Sequence, residues 1–142
     1  MNTYKESARN LLDVRIILAV LWVAGMLSSL NGDTYRLSDS VVLKSLLANT
    51  GSIVATPELL LVMSIIFVGW IFMSALTLTL KYRVSRWANR IIGTFYALIT
   101  LVFWVISLVL RSAGYEIVWA TAQLVCALLV VWYAWKWTIP EG

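Results

Sequence analysis

The chain has 142 residues, 61% of them hydrophobic and 13% charged, with a formal net charge of +4. Soluble domains are about 45–50% apolar and about 25% charged, and a chain this short has too much surface for its volume to hide the excess. The composition therefore speaks against a water-soluble globule and leaves an integral membrane protein, with lipid as the solvent for its outer faces.

There is no histidine, and Cys126 is the single cysteine. That removes imidazole acid–base chemistry, the Ser-His-Asp triad, most transition-metal sites and any internal disulfide. Cys126 lies inside an apolar run and reads as a small buried or lipid-facing residue. No cofactor, no metal and no enzymatic activity are expected, since a thiol pair and paired buried carboxylates are missing too.

The N-terminal "MNTYKESARNLLDVR" is polar and of mixed charge. The apolar run after it lacks a small-residue cleavage site, so it reads as a retained helix and not a signal peptide. Four runs are long enough to span, at about 11–30, 57–80, 91–110 and 115–137, in one transmembrane domain covering 1–142. They must be helices, because an open sheet would leave edge hydrogen bonds unmet in lipid. The expected fold is all-α, an up-down bundle of four spanning helices with a short amphipathic outer helix.

Asn10 is the expected N-cap of the first span, with Asp13 in its first turn. "LNGDTYR" marks its exit, where Gly32 permits a sharp turn and Asp33 pairs with Arg36 or Arg111. The long connection that follows holds "LSDSVVLKSLLANTG". Ser38 or Asp39 starts a short helix there, and Asn49 with Gly51 stops it. Val42, Leu43, Leu46 and Leu47 share one side, so the helix lies on the membrane surface or folds over the bundle mouth.

Thr56, Pro57 and Glu58 suit the start of the second span. "LKYRVSRWANRIIG" then brings Lys81, Arg83, Arg86 and Arg90 into the turn between the second and third spans. "RSAGYE" is tight and makes the last two spans an antiparallel hairpin, with Glu116 at the start of the fourth.

Lys5, Arg9, Arg15, the four turn cations and Lys136 fall on one side, against Arg36, Lys44 and Arg111 on the other. By the positive-inside rule both termini and the basic turn are cytoplasmic, in the cell (inner) membrane. The knot would also serve anionic phospholipid. Nucleic acid is not an expected partner; the lipid bilayer is, with a second copy or another membrane subunit as a candidate.

Each span shows a heptad-like face. These are Trp22, Gly25, Ser29 and Gly32; then Met63, Phe67, Trp70, Ser74, Thr77 and Lys81; then Gly93, Tyr96, Thr100, Trp104, Ser107 and Arg111. The last is Glu116, Ala120, Gln123, Ala127, Val130 and Ala134. Gln123, Trp104, Ser64 and Gly25 each lie about 10 Å below the outer surface, at about 1.5 Å per residue. Trp104 or Ser107 would meet the Gln123 amide. The amide is either interhelical glue or the floor of a small outward-opening pocket, whose candidate lining is Trp22, Ser64, Trp104 and Gln123. Asp33, Glu58, Arg111 and Glu116 form a candidate outer rim.

"LDVRIILAVLWVAGMLSSLNGD", "LKYRVSRWANRIIG" and "YEIVWATAQLVCALLVVWYAWKW" together resemble a family of small prokaryotic four-helix membrane proteins classed as a domain of unknown function. The Arg-Trp-Ala-Asn motif, Arg86 to Asn89, and the C-terminal YAWKW carry the resemblance. It implies fold and location, with no activity to carry over. Size and topology are also similar to the DoxX-like proteins. The expected function is a non-enzymatic module binding a lipid, a small apolar molecule or a membrane subunit; the alternative is a small oligomeric transporter or channel.

Overall fold

Lipid offers the backbone no hydrogen-bond partners, so each apolar run closes its own as a helix. The computed structural model describes residues 2–48, 50 and 56–137, with side chains from Val14 onward. Five helices follow in order: α1 (Asn2–Ser38), α2 (Ser40–Leu47), α3 (Pro57–Thr79), α4 (Tyr82–Val109) and α5 (Gly114–Lys136). No strand occurs among the described residues. Four segments are long and apolar enough to cross a membrane: Val14–Ser38, Pro57–Thr79, Tyr82–Val109 and Gly114–Lys136.

The helices run past the apolar stretches that mark them. α1 begins at Asn2, so Asn10 lies inside the helix and is not its cap. Nor does Gly32 end it. A Cβ at Gly32 would stand 3.3 Å from Trp119 Cβ, so the missing side chain serves a close approach of α1 to α5. α4 begins at Tyr82, which places Arg83, Arg86 and Arg90 on its first turns and leaves only Leu80 and Lys81 between α3 and α4.

Several ends follow their local chemistry. Thr56 Oγ1 accepts from Leu59 N–H at 3.3 Å, and Asp39 Oδ1 accepts from Val41 N–H at 2.9 Å. Asn49 and Gly51, expected to stop α2, lie outside the described residues. α4 ends in a Schellman motif, with Ser112 N–H donating to Ser107 O at 2.9 Å and Arg111 N–H to Leu108 O at 3.2 Å. Arg111 takes the left-handed position, at φ 51°, where glycine is usual.

α1 packs along both α3 and α5, and α5 along α4, while α3 and α4 touch least. The ring order is α3–α1–α5–α4, and the α3–α4 seam is the thinnest. Its centre is aromatic. Trp22, Trp70 and Tyr96 are 1%, 1% and 6% exposed and meet edge-to-face, with ring centroids 4.9–5.6 Å apart. Gly25 makes room for Trp70, whose Cζ2 would be 2.6 Å from an added Cβ. Val130 fills the notch at Gly93 in the same way, at 2.9 Å. Small residues thus set the helix spacing, as dispersion-driven packing in lipid requires.

Candidate functional site

The two ends of the bundle are built differently. At the basic end, Asn89 on α4 is fully buried and ties three helices together. Its Oδ1 accepts from the Trp22 indole of α1 at 2.8 Å. Its Nδ2 donates to Thr77 Oγ1 of α3 at 3.1 Å and to Ser85 O at 2.8 Å. The Thr77 hydroxyl has one proton, and Met73 O at 2.6 Å is closer than Asn89 Oδ1 at 3.2 Å. Thr77 therefore donates to Met73 O and accepts from Asn89. Ser85 Oγ donates to Thr77 O at 2.9 Å, folding the start of α4 onto the end of α3.

Two arginines finish helices other than their own. Arg15 of α1 donates to the last carbonyls of α3: Thr77 O at 2.8 Å, Leu80 O at 2.8 Å, and Leu78 O. Arg90 of α4 does the same for α5, reaching Ala134 O at 2.9 Å, Trp135 O at 3.1 Å and Trp137 O at 3.5 Å. Each cation meets the negative end of a helix dipole and satisfies carbonyls that the helix cannot. Arg90 is therefore a helix cap as well as a member of the basic knot.

Toward the α2 end the same inward stripes continue but are no longer closed. On α3, Trp70, Met73 and Thr77 are buried, whereas Leu59, Met63 and Ile66 are only half-buried. On α4, Tyr96, Ala97 and Thr100 are buried, whereas Trp104 and Ser107 are half-buried. On α5, Ala127 and Val130 are buried, whereas Ala120 and Gln123 are half-buried. Above the aromatic layer of Trp22, Trp70 and Tyr96 these helix faces are thus less closed, on the side of the thin α3–α4 seam. Tyr96 Oη, wedged against Gly69, donates to Ile66 O and forms the cross-tie at the base of that seam. A separate shallow groove of about 350 Å³ runs between α1 and α3, with Ile16, Val20, Ser74 and Leu78 in its walls.

The expected pocket residues are placed as follows. Trp22 is closed into the core and bonded to Asn89. Ser64 is exposed and donates to Leu60 O of its own helix at 2.8 Å. Trp104 Nε1 donates to Thr121 Oγ1 at 2.9 Å, not to Gln123, and Ser107 Oγ donates to Phe103 O at 3.0 Å. The Gln123 amide makes no hydrogen bond with a described residue. Trp104 and Gln123 are both half-buried toward the α2 end but face different sides of α5, and Trp22 lies in the aromatic layer.

At the rim, Arg36 Nε meets Glu116 Oε1 at 2.9 Å and Arg36 Nη1 lies 3.9 Å from Asp33 Oδ1. The Asp33 and Arg36 side chains are half-exposed, and a pair of that kind is worth about 0–1 kcal/mol. Glu58 and Arg111 are exposed and pair with no described residue, so Arg36 takes the place that the expected ring gave to Arg111. Tyr115 Oη donates to Asp39 Oδ2 at 3.1 Å, docking the start of α2 on α5. The Val41 amide and then this phenol hold the Asp39 carboxyl below its usual range. α2 buries no residue, and Val41 and Leu47 are 74% and 80% exposed.

Asn89, Arg15 and Arg90 as cross-helix ties were not expected from the sequence. The signal was present, since an Asn and Arg flanking an apolar run at helical spacing from Gly93 and Tyr96 continue its stripe. Among the described residues no group of three or more Cys, Asp or Glu is placed to hold a metal.

These features define a multi-pass helical membrane bundle, tied by side-chain hydrogen bonds at the basic end and less closed at the other. Comparison with family models, with curated proteins and with solved structures returns no match.

Proposed function

We infer that the chain is a non-enzymatic membrane module that holds a small apolar or lipid-like molecule against Gln123, toward the α2 end. It lies in the cell (inner) membrane with the basic end and both termini cytoplasmic, following its charge bias. One observation carries the binding reading. Gln123 sits half-buried, near the middle of α5, with no hydrogen-bond partner among the described residues. An amide at bilayer depth normally finds a partner, because lipid supplies none. A ligand with an apolar body and one polar group fits that vacancy in bonding. A transporter would need a polar path through Trp22, Trp70 and Tyr96, which are packed on one another, so binding is favoured over transport.

The test is native mass spectrometry of the full chain from mild detergent, wild type against Gln123→Leu. Co-purifying lipid or small molecule should be present in the wild type and lost or strongly reduced in the variant. Intrinsic stability should change by less than about 0.5 kcal/mol, since no protein bond is broken. Equal ligand occupancy in both proteins removes Gln123 from the site. A stability loss near 1–2 kcal/mol would instead make the amide interhelical glue.

A further inference from the structure

The basic end carries Arg15, Lys81, Arg83, Arg86, Arg90 and Lys136, and no described carboxylate pairs with any of them. Three have other partners. Arg15 and Arg90 donate to helix-terminal carbonyls, and Lys136 Nζ lies 4.0 Å from the centroid of the Trp132 ring. Arg86 is different. It is half-buried, its Nε is wholly buried, and that N–H has no acceptor. With no acceptor among the described residues holding it, the Arg86 guanidinium is free to turn its donors toward an anion.

The surroundings favour such an anion. Lys81 and Arg83 are exposed within a turn and a half of Arg86. α4 begins beside them with no side-chain cap, so its first-turn amides are left without a protein acceptor from Lys81. Side chains on a helix lean toward its N-terminus, which aims Arg86 at that same turn. Trp87, Trp132 and Trp135 are 57%, 56% and 58% exposed at this end, the level at which indoles meet lipid headgroups.

We propose that Arg86 anchors a phosphate group at the basic end, with Lys81 and Arg83 as its outer contacts. A phosphate has several acceptor oxygens, enough for the outer guanidinium N–H groups of Arg86 and a first-turn amide together. The tryptophans at headgroup depth make the phosphate of an anionic phospholipid the natural source. This site is at the other end of the bundle from Gln123 and does not depend on it.

The full chain, delipidated in an uncharged maltoside detergent, is heated with phosphatidylglycerol, phosphatidylcholine or inorganic phosphate, and phospholipid retention is read by native mass spectrometry. Phosphatidylglycerol should raise the melting temperature and phosphatidylcholine should not. Arg86→Gln should abolish the rise and reduce the phosphatidylglycerol-bound fraction about tenfold, the scale of one charge-assisted bond. Arg83→Gln should keep most of both. An equal rise with inorganic phosphate, also lost in Arg86→Gln, supports the site and assigns it to a free anion. If Arg86→Gln does not fold, Arg86→Lys keeps the charge, lacks the fork, and should still bind more weakly. Equal binding in wild type and in whichever variant folds overturns the proposal. So does an equal loss in Arg83→Gln, which would mean diffuse attraction without a site.

Discussion

Replacing Asn89 by leucine removes the hub of the basic end while keeping a side chain of similar size. The change deletes the acceptor of the Trp22 indole at 2.8 Å and the donor to Thr77 Oγ1 at 3.1 Å, one bond to α1 and one to α3. The bond to Ser85 O is within α4 and contributes little between helices. Interhelical hydrogen bonds in membranes average about 0.6 kcal/mol and reach about 1.7, so two give about 1–3 kcal/mol. The upper part of that range is expected, because Trp22 is 1% exposed and its freed N–H cannot turn to water. Reversible unfolding in mixed micelles, titrated with a denaturing detergent and followed by tryptophan fluorescence, measures the loss. A double-mutant cycle with Trp22→Phe isolates the indole bond, and a coupling of about 0.6–1.7 kcal/mol is expected. A loss below about 0.5 kcal/mol, or additivity within about 0.3 kcal/mol, would refute the hub.

Two further substitutions probe the backbone approach. Gly25→Ala puts a Cβ 2.6 Å from the rigid Trp70 ring, so α1 and α3 must separate at a cost of about 1–3 kcal/mol, whereas Gly114→Ala meets nothing within 4 Å and should not destabilise. The same detergent titration compares them, and equal effects would contradict the close contact. Arg111→Gly should stabilise by up to about 1 kcal/mol, since glycine adopts φ 51° without the penalty of a side chain. A loss of stability would show that the Arg111 side chain has a role at the rim.

The four spans were legible because length and composition alone decide which segments lipid will accept. The inward faces were legible for a similar reason. Small and aromatic residues at steps of three and four mark where helices approach, and Gly25, Trp70, Gly93, Tyr96, Ala127 and Val130 do lie at the interfaces. Helix ends were not legible. Apolarity stops near Leu80 and resumes at Ile91, yet α4 already exists at Tyr82, because Arg15 and Ser85 from elsewhere satisfy the end of α3. Periodicity also fixes a stripe without fixing the rotation of one helix against its neighbour. Trp104 therefore reaches Thr121 and not Gln123, two residues along α5 but on a different side of it. The rim shows the same limit, since Arg36 and Arg111 were equivalent as charges and only geometry chose Arg36.

The arginine caps give the bundle a pivot. α3 cannot complete its last turn without α1, nor α5 without α4, so at the basic end the helices finish one another in pairs. From Asn89 to Val109, α4 rises about 30 Å at about 1.5 Å per residue. Over that lever, each degree of tilt about the clamped end moves the far end by about 0.5 Å, given the same helix rise. Between α3 and α4 such a tilt is opposed by the Tyr96 tie to Ile66 and reaches Met63 and Trp104 only past it. Any such tilt is felt least at the arginine caps and most at the far ends of α3 and α4.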